Sequence, residues 1–508
     1  MLSEPYRSWV HPPKYVEAAV LISLGGALFG FDTGTIGPIT TMPQFAITFG
    51  NLSATVHGLV VSTILIPAAI SSFFGGHLAN AVGRPRATAI GAGVFGLGAA
   101  IECASVKLAM LIVGRGVKGV GEGLFLSTLV VYITEISPPR SRGTLASIPQ
   151  LLTTIGLCVG YFVCYGSTNI NSSLAWRLPY AIQSGASFIF VITTLLFLPQ
   201  SPRWLSAAGR HSEALACWER LGVEAAEREK LEESTQEGLP EQVKMKDILA
   251  VFGRDVWKRT ALGVFLMGMQ QLSGIDGVLY YAPLLFQSAG LTSSTASFLA
   301  SGVSALLIML VTIPAFLYAD KWGRKTSCVV GGLLMGIFMV IIGSLYASGS
   351  VHSTHGIARW VVVVMIYFFA IAFSATWAVG FRVYVSEIQP SKTRAGATSL
   401  SLSANWIVNW IVAFTTPIFL AKSSYGVYFL FGACLLLTVA VCIFIMPETT
   451  GKTLEDIDAS FGKKLGKKRA TGVVMELRDL EYTPCDTPAN EKEDGVAVVA
   501  LSSSSSVY

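Results

Sequence analysis

Between Gln270 and Pro283 the chain reads QQLSGIDGVLYYAP, which sets two glutamines, an aspartate and two tyrosines in one of its most apolar regions. A polar group buried there without a partner costs several kcal/mol, so these side chains need something to touch. Amides both donate and accept hydrogen bonds, which suits Gln270 and Gln271 to hydroxyl partners. A second set of ionisable residues lies in the first half. Asp32 stands in GFDTGTIG, Arg115 opens a later apolar run, and Lys118 and Glu122 follow it at i,i+4 spacing, which permits an intrahelical pair. Glu122 is seven residues from Arg115 and shares a similar face, whereas Glu102 lies near the end of its run and reads as snorkelling. No nucleophile–base set, phosphate loop or metal cluster occurs, so neither an enzyme nor a metal site is expected. The eight cysteines have no metal-ligand spacing and read as small apolar residues in helix packing.

These residues must be positioned by elements that live in lipid. Of the 508 residues, 52% are hydrophobic and only 13% are charged, and the mean hydropathy is +0.59. A chain with so little charge cannot cover its surface for water. Runs of about 20 apolar residues read as spanning helices. The spacing predicts twelve such spans, at about 16–40, 57–79, 88–107, 109–134, 144–166, 177–198, 260–288, 296–319, 326–347, 360–387, 395–420 and 425–446. The first has no small-residue cleavage site and is read as a retained helix.

Basic residues mark one set of loops: Arg84 and Arg86, Arg140 and Arg142, Lys321 with Arg324 and Lys325, then Lys392 and Arg394. The opposite loops 41–56 and 288–296 carry none. By the positive-inside rule both termini are cytoplasmic, in a multi-pass protein of the cell membrane. The sequons at Asn51 and Asn171 fall in outside loops, where they could be glycosylated. The net charge of +5 fits an anionic leaflet and implies no nucleic acid. The expected organisation is a cytoplasmic N-terminus (1–15), a six-helix half (16–198), a cytoplasmic, charge-rich helical linker (199–259), a second six-helix half (260–446) and a largely disordered cytoplasmic tail (447–508). The halves repeat each other: GRPR after span 2 matches GRKT after span 8, and YITEISPPRSRG after span 4 matches YVSEIQPSKTRAG after span 10. Such duplication is an alternating-access architecture with a substrate site near the midplane.

Eight motifs in order then resemble the sugar porter family of the major facilitator superfamily, in the style of a fungal member. They are GRPRA (83–87), GRGVKGVGEG (114–123), EISPPRSRG (135–143), PQSPRWL (199–205), QQLSGIDGVLYY (270–281), DKWGRK (320–325), SEIQPSKTRAG (386–396) and PETTGKTLE (447–455). The resemblance implies an all-α membrane protein of twelve helices. It implies a secondary active transporter that imports a monosaccharide, with proton symport drawing on the proton gradient and no cofactor. A facilitated uniporter, a carrier of a polyol or sugar acid, and a transporter-like nutrient sensor are the alternatives. Its partners would be sugar, protons and lipid, and it would work as a monomer.

Residue by residue, the resemblance places Gln150, Gln270, Gln271 and Asn405 against sugar hydroxyls, with Trp406 beside them, and makes Tyr280 and Tyr281 an outer gate. Asp32 matches the proton carrier of coupled members and Arg115 its partner. Arg84, Glu135 and Arg142, with Asp320, Arg324, Glu387 and Arg394, match cytoplasmic charge networks, expected to latch the halves together when the protein faces outward. Asn80 replaces an acid in the first network, which should make it the weaker. Asp276 and Arg382 replace an asparagine and a tryptophan of the sugar site, and Ile308 an asparagine. A lone charge at the midplane is costly, so Asp276 and Arg382 are expected to pair within the site.

Overall fold

A computed structural model describes residues 13–138, 141–223, 252–253, 256–291, 294–318, 323–352, 356–390 and 393–450. They belong to one compact unit, Met1–Ile457, and are helical with no strand among them. Among the described residues twelve helices are long and apolar enough to cross a bilayer. Lipid offers backbone groups no partner, and a helix satisfies them within itself. Spans 1 to 6 are Lys14–Thr41, Ala54–Val82, Arg84–Ala104, Leu108–Ile136, Arg142–Ser167 and Leu174–Phe197. Spans 7 to 12 are Trp257–Tyr280, Ala296–Ala315, Arg324–Ala347, Ala358–Glu387, Gly396–Lys422 and Gly426–Phe444. Large apolar residues such as Ile189, Leu196 and Leu437 stay exposed on the outside of the bundle, where lipid would cover them.

Small residues set the closest helix approaches. Gly26, Gly30 and Gly34 put one face of span 1 on the span 5 backbone, where a Cβ would collide with the carbonyls of Pro149, Thr153 and Leu157. Asp32, between the last two, therefore points away from span 5. In GRGVKGVGEG, Gly114 and Gly121 admit span 3, while Gly119 and Gly123 admit the carbonyls of Ile64 and Ala68 in span 2. The motif's glycines thus lodge Arg115, Lys118 and Glu122 inside the first half.

Several spans are broken where a continuous helix was expected. Span 7 consists of Trp257–Leu272 and Ile275–Tyr280, and a further helix, Ala282–Ser288, follows it. The first break is at Gly274, whose φ of 88° is left-handed and whose Cβ would strike the Phe431 ring. Span 10 breaks at Thr376, giving Ala358–Ala375 and Trp377–Glu387. The break in span 2 separates Ala54–Ser62 from Leu65–Val82. Loop 41–56 contains a short helix, Pro43–Phe49.

Span 1 runs from the end of the bundle that carries Lys14, called here the near end, to the far end, and the others alternate. The linker's described helices, Pro202–Ala207 and His211–Leu221, pack Leu205, Trp218 and Leu221 into the first half's near-end core. At the far end one apolar cluster joins the halves: Ile36, Ile39 and Val60 with Tyr280, Phe298 and Ala413. There the Tyr161 hydroxyl donates to the Leu279 carbonyl, Gly37 admits the Tyr280 carbonyl and Gly58 that of Phe414.

Candidate functional site

The amides of the opening stretch form one network on spans 7 and 11. Gln270 Nε2 donates to the Trp377 carbonyl at 2.7 Å. Asn405 Nδ2 donates to Gln270 Oε1 at 3.1 Å and to the Met267 carbonyl at 2.9 Å. Gln271 Nε2 donates to Asn405 Oδ1 at 3.2 Å. Two acceptors are left over: Gln271 Oε1 and Asn409 Oδ1 are buried without a donor. A carbonyl oxygen in that state calls for a hydroxyl from elsewhere. Asn409, whose side chain also meets the Tyr280 hydroxyl, was not singled out from the sequence. Its signal was the i,i+4 spacing from Asn405. Trp406 is half-buried and meets Phe29 of span 1 edge-on at 6.3 Å.

The expected Asp276–Arg382 ion pair is not formed. Arg382 is exposed at the seam and donates from Nη1 to Gln150 Oε1 at 3.1 Å, so the guanidinium bridges span 10 to span 5 of the other half. Asp276 is half-buried in the first turn after the Gly274 break, beside Gln271, and Arg382 is the charge that acts on it. Among the matched gate residues, Tyr281 donates to the Ala413 carbonyl at 2.6 Å and meets the His57 ring edge-on, while Tyr280 is buried in the far-end cluster. Ile308 is buried.

In the first half five charged side chains converge. Lys118 Nζ lies 2.5 Å from Asp32 Oδ1, also bonds Glu102, and donates to Gln183 Oε1 at 3.0 Å. Arg115 lies 3.6 Å from both Asp32 and Glu102 and donates to the Val61 carbonyl at 3.1 Å. Two sequence expectations are corrected. Lys118 pairs across to spans 1 and 3 rather than along its helix to Glu122, and Glu102, fully buried, bridges both cations rather than snorkelling. Gln183, alone in an apolar stretch of span 6, was passed over in the sequence. Among the described residues no set of three His, Cys, Asp or Glu is arranged to hold a metal ion.

The near-end charges also differ from expectation. Arg84 forks onto Glu135, with Nε–Oε2 and Nη2–Oε1 both 2.9 Å, and donates to Asn80 Oδ1 at 2.8 Å. Arg324 lies 3.6 Å from Glu387. Each pair lies within one half, because Arg84 and Arg324 begin the helices beside those acids, so neither joins the halves. The Arg84–Glu135 pair, at 2.9 Å, is the shorter of these two ion pairs. Arg142 forms no ion pair with Glu135, and its Nε is buried without a partner. Asp320 and the Arg394 side chain lie outside the described residues. In the second copy Glu448 instead caps span 9, accepting from the backbone N–H groups of Arg324 at 2.7 Å and Lys325 at 3.1 Å, while Thr449 bonds Glu387 at 2.6 Å. Asn51 and Asn171 are exposed in far-end loops.

Residues 18–461 match the family model described as Sugar (and other) transporter. The chain is 28% identical to the high-affinity glucose transporter of Kluyveromyces lactis over 494 residues, 93% of this chain and 89% of that one. It is 30% identical to the arabinose-proton symporter of Bacillus subtilis over 446 residues, 86% and 92% of the two chains. Among solved structures it is similar to the inward-open xylose transporter of Escherichia coli, with a TM-score of 0.74 and 25% identity, covering 88% of this chain and 99% of that one.

Proposed function

The chain belongs to the Sugar (and other) transporter family of the major facilitator superfamily, and from that membership we propose that it imports a monosaccharide by alternating access with proton symport. The observation that carries the reading is the amide network of Gln270, Gln271 and Asn405, with its unfilled acceptors, at the seam between the halves. Sugar hydroxyls donate to such acceptors, and Trp406 offers a ring face to the sugar's C–H side. Gln150, held by Arg382, lines the opposite wall, and Asp276 stands at the far side of the amides. The far-end seal around Tyr280 and Tyr281 supports an inward-facing state, with the far end outside, the termini in the cytoplasm and Asn51 and Asn171 open to glycosylation. The cell membrane is the site of action, the proton gradient the energy source, and the monomer the working unit; the chain acts without a cofactor and is no enzyme. The buried charge cluster around Asp32 and Arg115 supports proton coupling. The near-end networks of Arg84 with Glu135 and Arg324 with Glu387 hold each half's helices as one body while the halves rock.

A second reading has a specific support. The exposed Arg382 guanidinium has a single neutral side-chain partner, which suits a sugar acid, whose carboxylate it would bind. One uptake screen in a transport-null cell tests both, using radiolabelled hexoses, pentoses, polyols and sugar acids with and without a protonophore. Uphill uptake of a neutral monosaccharide, abolished by the protonophore, is the expected result. Uptake of sugar acids alone would favour the second reading, and uptake indifferent to the protonophore would make the protein a uniporter.

A further inference from the structure

The cluster in the first half does not balance. Asp32, Glu102 and Glu122 supply three carboxylates, and Arg115 and Lys118 supply two cations. All five are buried. With every group ionised the cluster carries one net negative charge inside the membrane-spanning part of the fold, where an uncompensated charge is costly. A single bound proton removes it.

The geometry says which carboxylate can hold that proton. Asp32 has Lys118 at 2.5 Å, with Arg115 and Gln183 behind it. Glu102 is gripped by the same lysine and faces the same arginine. Glu122 is 1% exposed, and neither of its carboxyl oxygens has a hydrogen-bond partner. A buried carboxylate without a donor is the least stable ionised form of the three. The charges that face it are Lys118 and Arg115 on its own helix, Asp32 on span 1 and Glu102 on span 3, and across the seam it acts on Tyr280 of span 7. Gly119 and Gly123 press that part of span 4 onto the Ile64 and Ala68 carbonyls of span 2, which are acceptors and offer the carboxyl no proton donor.

We propose that Glu122, and not Asp32, is the group that carries the coupling proton, while Lys118 fixes Asp32 as a permanent counter-ion. The assignment rests on the symport reading above. The step is a proton exchange with water: the Glu122 carboxyl takes a proton when the parted far end admits water past Tyr280. In the state described here the proton is held. It passes back to water on the near side once sugar release rewets the seam. Arg115 and Lys118 remain paired throughout and prevent Asp32 from competing for it.

The test uses the full-length protein, purified and reconstituted in vesicles, with radiolabelled D-glucose as the probe and an imposed pH gradient. Glu122→Gln should lose accumulation driven by the gradient and lose sugar-dependent alkalinisation, yet keep exchange between equal pools. Infrared spectra of the purified protein at neutral pH should show a protonated carboxyl band that disappears in Glu122→Gln and shifts in frequency in Glu122→Asp. A band that survives in Glu122→Gln overturns the assignment. If the wild type is driven by the gradient and Glu122→Gln is driven equally, the assignment falls while symport stands. A wild type that ignores the gradient sinks the symport reading, and the coupling role with it. Should the glutamine variant fail to reach the membrane, Glu122→Asp replaces it. It should restore coupling with a displaced pH profile, and an unchanged profile would count against the proposal.

Discussion

Lys118 is the keystone of the first half, and its removal gives a calculable result. In Lys118→Met the stem's burial is retained, but Asp32 and Glu102 lose the ammonium they share, and Gln183 loses a donor. The contacts of Nζ with the rings of Tyr180 and Phe95, at 4.9 and 5.6 Å, go too. Breaking a buried pair by deleting one partner costs about 3–5 kcal/mol, and the orphaned Gln183 acceptor adds about 1 kcal/mol. Protonation of a stranded carboxylate limits the loss. Protonating an ordinary glutamate at pH 7 costs about 1.4 kcal/mol for each unit above its usual value near 4.3, or about 3.7 kcal/mol. The limit shrinks to about 1.6 kcal/mol at pH 5.5, so acid should rescue the variant by about 2 kcal/mol relative to wild type. The sign follows from linkage: the variant's folded state binds the extra proton, so its stability rises as pH falls. Lys118→Met/Glu102→Gln removes one charge of each sign and should regain at least half of the loss at pH 7. Thermal unfolding followed by tryptophan fluorescence, at pH 7 and pH 5.5, checks Lys118→Met, Glu102→Gln and the double variant. Strictly additive losses in the double variant, with no acid rescue of the single one, would refute this account of the cluster.

Three other outcomes are expected. Gln271→Ala should weaken sugar binding by about 1–3 kcal/mol, roughly 5- to 150-fold in Kd, with normal surface expression, because the Gln271 Oε1 acceptor is free for the ligand. Equilibrium binding of the labelled sugar measures it, and wild-type affinity would remove Gln271 from the site. Since Asp276 and Arg382 form no ion pair and Arg382 is exposed, Arg382→Trp should still reach the membrane, and a stability cycle with Asp276→Asn should couple by less than about 0.5 kcal/mol. Coupling above about 1.5 kcal/mol would mean that the two charges do pair. Glu448, outside the spans, is half-buried, which works against its charge. The backbone N–H and hydroxyl of Thr450 and the N–H groups of Arg324 and Lys325 outweigh this and hold its carboxyl below the usual range. A lowered folded value gives stability that is full above the unfolded value near 4.3 and lost as pH falls through the folded one. The melting difference between wild type and Glu448→Gln should therefore hold from about pH 8 to 5 and shrink only below about pH 4, and a difference already gone at pH 6 would exclude the cap.

Span positions were legible because each rests on a run of apolar residues whose length the bilayer dictates. The expected runs 57–79 and 326–347 fall inside or upon Ala54–Val82 and Arg324–Ala347. Interruptions were not legible. Thr376 sits among residues as apolar as those of an intact helix, and only at Gly274 did a residue type hint at a break. Residue choice at the site was partly legible, since amides in an apolar run carry their own signal. Partner choice was not. The i,i+4 spacing offered Lys118 to Glu122, but helix rotation, set by which glycines face spans 2 and 3, hands it to Asp32 and Glu102. Similarly, Arg382 reaches Gln150, which is 232 residues away in sequence.

The ion pairs of Arg84 and Arg324 lie inside the halves, while Ile36, Val60, Phe298 and Ala413 close the far end between them. Rocking the halves apart there therefore wets apolar surface and breaks none of these charge pairs. Wetting apolar surface raises heat capacity, so the balance between the two facing states should curve with temperature. Apolar burial weakens on cooling, and a chilled transporter should drift toward the state whose far end is parted. Added salt, which screens charges, has little to act on at this seam and should leave that balance nearly unmoved.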